Sequence, residues 1–189
     1  MERWLIVVIV GILLFVFIGI PVIAYIVIQN NLVGLDVASD EAWANVRVQY
    51  QRRYDLIPKL EEMVEKYMQY EQSLLTNITQ LRSEWPNFQQ MTPEQQQVFT
   101  EKVENFIISF RATAENYPDL KASQLFQDFM AEVAGTENRV AVARTRYNEA
   151  VKEYNTGIRV LPNNFVAGMM GLQKRNFFLG SEGIENPPY

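Results

Sequence analysis

Three places in this sequence gather residue types that could do chemistry. The first is Glu71, a carboxylate inside an otherwise apolar stripe of Ile57, Leu60, Val64, Tyr67, Leu74, Ile78, Leu81 and Trp85. A carboxylate in such a seam is an acid, base or ligand, or it is one half of an ion pair that fixes helix register. Structural pairing is the commoner use, and Glu71, Glu137 and Arg144 form the candidate buried polar network. The second place is the run Arg52-Arg53-Tyr54-Asp55. It could hold an anionic ligand or a lipid head group, and more commonly such a run caps helices and forms local salt bridges. The third is the set Glu137, Asn138, Arg139, Arg144, Arg146, Asn148 and Glu149, which flanks another heptad stripe. Glu and Arg beside a heptad usually pair between helices.

Composition narrows the chemistry further. The 189 residues include no cysteine and no histidine. That removes disulfides, a thiolate nucleophile, a lipid-acceptor cysteine, His-based triads and ordinary zinc sites. A di-metal carboxylate bundle needs Glu-x-x-His, which cannot occur here. Asp36 to Glu41 is too sparse for a calcium loop. There is no glycine-rich phosphate loop, dinucleotide fingerprint or nucleophile elbow. Asn77-Ile78-Thr79 matches a glycosylation sequon but falls mid-helix. The reading is therefore of no metal, no cofactor and no enzyme. The competing idea is a hydrolase or transferase that works through carboxylates alone, Glu71 with Glu137. A net charge of −5 disfavours nucleic acid, whose binding rests on cations meeting phosphates.

The elements that would position these residues begin with an apolar run. Trp4 to Ile28 carries no charge. As a helix it would span roughly 37 Å, against about 30 Å of bilayer hydrocarbon. Trp4 and Tyr25 stand near its ends, where aromatic rings favour the headgroup level. Pro21 is a kink site. The run is longer than a signal-peptide core and ends without a small-residue cleavage pattern, so residues 1–28 are expected to be a retained single-pass anchor in the lipid bilayer. Arg3 and the amino terminus oppose a first basic residue only at Arg47, a count that places the N-terminus in the cytoplasm.

Beyond the anchor the spacing is helical. One helix passes through Val37, Trp43, Val46 and Tyr50, with Gly34 as a hinge. A second covers Ile57 to Trp85, with Asp55 as its cap and Pro58 in its first turn. Thr92-Pro93-Glu94-Gln95 opens a third as a capping box, and its stripe is Phe99, Val103, Phe106, Phe110 and Tyr117. A fourth steps through Phe126, Phe129, Val133, Thr136, Val140, Ala143, Tyr147, Ala150 and Tyr154, across Gly135. From Pro162 on, a short helix and the pair Phe177-Phe178 form a cap. The expected fold is all-α: a single transmembrane helix, then an elongated antiparallel bundle of about four long helices over residues 29–180, and a flexible tail at 181–189.

Several ordered motifs are familiar. Asp40-Glu41-Ala42-Trp43, the run Val48 to Pro58, Tyr117-Pro118-Asp119-Leu120-Lys121-Ala122 and Thr136-Glu137-Asn138-Arg139 resemble the LemA family. So do Ala143-Arg144, Tyr147-Asn148, Ala150-Val151, Tyr154-Asn155, Pro162-Asn163 and Ala167-Gly168. The resemblance implies a bacterial, single-pass membrane protein with an α-helical domain and no established molecular function. It implies a domain in the cytoplasm, opposite to the charge count, and an accessory role beside membrane proteases or other membrane proteins. Many relatives carry His-Glu where this chain has Tyr70-Glu71, so an acid–base or metal role for that pair fails here. The leading expectation is a membrane-tethered scaffold or adaptor. It would contact membrane-associated proteins, a membrane protease or copies of itself through Arg52, Arg53, Asp55, Tyr117, Asp119 and Lys121. A binder of lipid or a small ligand at the membrane surface is the alternative.

Overall fold

The structure, a computed structural model, describes residues 2–69 and 71–178. The expected tail at 181–189 lies outside the described residues, as does Tyr70. The chain is all-α, and no strand occurs among the described residues.

Helix α1 (Glu2–Leu14) is followed by a five-residue π turn, Phe15–Gly19, and then by α2 (Ile20–Tyr54). The wide turn has a local cause. Pro21 has no N–H and its ring crowds the carbonyl four residues earlier, so an α turn cannot close there. Instead the Ile20 N–H bonds to the Phe15 carbonyl, five residues back. The side chains of this helix from Trp4 to Val27 stay mostly exposed, and it is long and apolar enough to cross a membrane. Gly34 is not the expected hinge, since α2 runs through it without a break. A lone glycine costs a helix only about 1 kcal/mol, and Leu32, two residues before it, is fully buried.

The chain divides into two compact units: residues 1–45 with 144–189, and residues 46–143. In the 46–143 unit the stripe expected to form one helix is carried by two, α3 (Ile57–Tyr67) and α4 (Gln72–Glu84). Met68 and Glu71 leave helical geometry between them. Neither Gly nor Pro lies between Tyr67 and Gln72, and the three-and-four spacing carries across the gap with Glu71 as its one charged position, so no helix breaker announces the break. Ile57, Leu60 and Val64 are buried from α3, and Leu74, Ile78 and Leu81 from α4. Asp55 is not the expected cap; α3 starts after Leu56 with no side-chain cap bond, and Asp55 accepts from Gln51 Nε2 at 2.7 Å.

Pro86 then opens a 3₁₀ turn, Trp85–Gln90. Trp85 stacks on Tyr54 at 3.9 Å and on Phe88 at 4.5 Å. Helix α5 (Pro93–Ala114) begins with the expected capping box of Thr92 and Gln95, which satisfies two otherwise orphaned N–H groups. It ends before Tyr117, and a short α6 (Pro118–Ala122) leads into α7 (Gln124–Gly157). Ser123 Oγ accepts from the Phe126 N–H at the start of α7. Phe110 is fully buried and meets Phe129 edge-on at 5.7 Å.

The other unit is built on the first part of α2 and the last part of α7. Ser39 Oγ reaches the Leu35 carbonyl at 3.0 Å and the Ala150 carbonyl at 3.3 Å. After α7 the chain turns into α8 (Asn163–Met169). Leu32 from α2 packs with Val166 and Ala167 of α8, joined by Tyr25, Ile28, Ile158, Met170 and Leu172. Gly171 takes φ +68°, a left-handed turn that a side chain would strain. Residues 172–178 follow in a non-helical run.

Candidate functional site

In the 46–143 unit, the residues singled out by the sequence are largely occupied in structural contacts. Arg53 is 3% exposed, and its Nη1 donates to Glu104 Oε2 at 3.1 Å. Arg52 and Asp55 beside it are exposed. Tyr117 is half-buried and its hydroxyl donates to Glu71 Oε1 at 2.7 Å. That hydrogen bond, burial and the negative charge of Glu71 all hold the phenol pKa above 10.0. Glu71 therefore does meet a partner, a tyrosine of the α5–α6 turn rather than an arginine. Glu137 is exposed on α7. Asp119 is exposed in α6, and Lys121 pairs with Glu115. Further pairs link α3 to α4 through Glu61 and Arg82 (2.6 Å), α4 to α5 through Glu84 and Lys102 (2.9 Å), and α3 to α7 through Lys59 and Glu132. Hydrogen bonds from Gln80 and Lys102 hold the Glu84 carboxyl below 4.5. Among the described residues there is no group of three or more acidic residues that could hold a metal ion.

Arg144 belongs to the other unit, where its guanidinium lies 4.4 Å from the centre of the Phe178 ring. That ring is one end of a more ordered arrangement. Two Tyr-Asn pairs seven residues apart on α7, Tyr147-Asn148 and Tyr154-Asn155, grip the segment 173–178 by its backbone. Asn155 donates to the Arg175 carbonyl at 2.9 Å and accepts from the Arg175 N–H at 2.9 Å. Asn148 does the same to Phe178, at 3.1 and 2.7 Å. Tyr154 donates to the Gln173 carbonyl at 3.0 Å and Tyr147 to the Asn176 carbonyl at 3.2 Å.

The repeat has a geometric basis. Seven helical residues rise about 10.5 Å, and three extended residues advance about 10 Å. Each heptad of α7 therefore meets the segment three residues further along, Arg175 then Phe178, with the two chains running in opposite directions. All of these contacts are to main-chain atoms, so the cradle recognises extended backbone rather than a particular sequence.

Side chains lock the same segment. Arg175 bonds to Asp36 at 2.7 Å and to Asp40 at 2.7 Å, one turn apart on α2. Burial works against its charge, but the hydrogen bonds to Asp40 and Asp36 outweigh it and raise its pKa. Trp43 lies 5.2 Å from the ring of Tyr147 and 6.1 Å from that of Phe178. Burial is the main cause that raises the pKa of Tyr154. Of this cradle only Asn148 was among the residues picked out for chemistry, as a polar flank of the heptad stripe. Its signal was present in the doubled Tyr-Asn, read as heptad stripe and flank and as family motif.

Near the end of α7 an open cavity of about 400 Å³ is lined by Lys152, Asn155, Thr156, Arg159, Val160, Lys174 and Phe177.

Comparison with known proteins gives a consistent picture. A model described as the LemA family matches residues 42–188. The chain is 26% identical over 167 residues to Protein LemA of Metamycoplasma hominis, covering 87% of this chain and 75% of that protein. Over 76 residues it is 28% identical to the magnetosome proteins MamQ 2 and MamQ 1 of Paramagnetospirillum magneticum, 40% of this chain and 28% of each of those.

Proposed function

This chain belongs to the LemA family, and from that premise we propose that it is a membrane-tethered helical scaffold. It holds partner proteins, or copies of itself, at a bacterial membrane surface, and it does so without catalysing a reaction. The observation that carries this reading is the helix α1–α2. Its first part is apolar and exposed, while its later part is built into the helical domain. A chain so arranged fixes a helical surface beside the bilayer. Among the described residues, five ion pairs and the Tyr117–Glu71 hydrogen bond join side chains within the 46–143 unit, which suits a platform better than a reactive cleft. In this reading residues 1–28 are the anchor, and the helical domain faces the cytoplasm, where a membrane protease is one class of partner.

The contact surface is drawn to Arg52, Asp55, Asp119 and Lys121, whose side chains are exposed. Arg53 and Tyr117 support that surface from within through Glu104 and Glu71. A photo-crosslinking residue at Arg52 or Lys121, introduced in living cells, tests the idea. A discrete adduct with one partner or with a second copy supports it. The same adduct pattern from an exposed position elsewhere, or no adduct at all, counts against it. The enzymatic reading is tested separately with Glu71→Gln and Glu137→Gln: a scaffold loses stability or partner binding, whereas an enzyme stays folded and loses turnover.

A further inference from the structure

We infer that α8 and the end of α7 form a lipid-binding face, in which α8 lies in the bilayer interface and Lys152, Arg159 and Lys174 receive an anionic phospholipid head group. This rests on the reading of residues 1–28 as a membrane anchor. The position of α8 follows from its packing. Val166 and Ala167 sit against Leu32, and Tyr25 and Ile28 join the same cluster. Tyr25 and Ile28 belong to the last turns of the apolar span, so whatever packs on them stands at the headgroup level.

The outward side of this element is apolar. Leu161, Phe165 and Met169 are 72, 69 and 75% exposed. They recur every four residues, so those in α8 share the face that is not turned to Leu32. Such a face on a short helix has no stabilising contact in water, and in the interface it enters the boundary of the acyl chains. The bilayer is the one occupant already continuous with this surface through α2.

The charges match that occupant. Lys152, Arg159 and Lys174 line the cavity of about 400 Å³ at the end of α7, whose lining includes Val160, next to Leu161 in sequence. Among the described residues none of the three makes an ion pair, whereas Arg53, Arg82, Lys102 and Arg175 all do. Three uncommitted cations around one concavity, in a chain of net charge −5, suit a phosphodiester. Each basic residue near an anionic surface is worth about fivefold in lipid occupancy.

The absence of cysteine makes the test clean. Spin labels go on the full chain at Phe165→Cys or Met169→Cys, with Phe17→Cys marking the span and Glu149→Cys marking α7 about 12 Å before its end. The chain is reconstituted in phosphatidylcholine vesicles with and without phosphatidylglycerol. Labels at 165 and 169 are expected to collide with oxygen more than with an aqueous nickel chelate, as at 17 and unlike 149. The preference at 165 should strengthen with phosphatidylglycerol. It should fall to the phosphatidylcholine level when Lys152, Arg159 and Lys174 are all changed to Gln. Aqueous labels at 165 and 169, with 17 in the bilayer, overturn this inference alone. An aqueous label at 17 overturns the anchor reading on which it rests. A label in the bilayer that ignores both phosphatidylglycerol and the Gln changes overturns the head-group site. Inorganic phosphate reproducing the effect of phosphatidylglycerol assigns the cavity to a free anion and overturns the lipid assignment.

Discussion

Replacing Asn155 with alanine should release the segment 173–178 from α7. Asn155 is 6% exposed and makes two hydrogen bonds to one residue, to the carbonyl and the N–H of Arg175. Each such bond contributes a net of about 0.5–1.5 kcal/mol, so the pair is worth about 2 kcal/mol. The loss is limited to that size because the freed Arg175 amide can turn to water, and Asn148, Tyr147 and Asp36 still hold their own contacts. An increase of about 2 kcal/mol in the free energy of the held state raises the local opening constant roughly 30-fold. Hydrogen exchange on the full chain in detergent reads this directly, since opening exposes the Arg175 and Phe178 amides. Asn155→Asp separates the two bonds, because it keeps the acceptor for the Arg175 N–H and sets a carboxylate against the Arg175 carbonyl. It should be at least as damaging as alanine. Asn164→Ala, at an exposed position of α8, should leave the segment protected. If exchange at 173–178 in Asn155→Ala matches the parent chain, the cradle does not hold the segment and the argument from matched heptad and strand spacing fails.

Other perturbations separate structural roles. Glu104→Gln removes the charge partner of Arg53, which is 3% exposed, and should cost about 1.5–3 kcal/mol, while Glu132→Gln at the exposed pair with Lys59 should cost under about 1 kcal/mol in the same thermal melts. On α7, Gly135→Ala places its new methyl with the guanidinium end of the long Arg139 side chain as its nearest neighbour, at 3.3 Å, and should stabilise by up to about 1 kcal/mol. Gly157→Ala puts a carbon 2.5 Å from Leu35 Cδ1 and should destabilise by about 1 kcal/mol or more in the same assay. The pKa values of Tyr54, Tyr117 and Tyr154 are raised above 10.0 in the folded chain, so the native state keeps protons that the unfolded state releases. Their stabilisation is therefore whole below pH about 10 and is lost as pH rises through the raised values, which absorbance at the phenolate band and helicity should report together.

Much of the architecture was legible because helices declare themselves by spacing and by end signals. The capping box at Thr92 and Gln95, the stop at Trp85-Pro86 and the run of α7 across Gly135 follow from local chemistry. The break between α3 and α4 was hidden, because Met68 to Glu71 contains neither Gly nor Pro and the three-and-four spacing of the stripe carries through it. Glu71 was visible as an anomaly in that rhythm, but its partner is Tyr117, which lies 46 residues away in sequence. Arg53 read as a surface charge and is buried, since nothing local marks which of two adjacent arginines faces Glu104. The cradle for 173–178 was hidden for a related reason. Asn148 and Asn155 look like ordinary polar flanks of a heptad until a segment about 20 to 30 residues later lies along them.

The claim that the domain is held at a membrane by a retained first helix is tested most directly by following residues 4–28 in cells. Membranes are washed with alkaline carbonate, and the peptides of the chain are then identified in the pellet and in the soluble fraction. The account predicts that the 4–28 segment stays covalently attached to the helical domain and that both remain in the washed pellet. Recovery of the helical domain in the soluble fraction, cut free of that segment, would mean that the apolar helix is a signal sequence and would contradict the account.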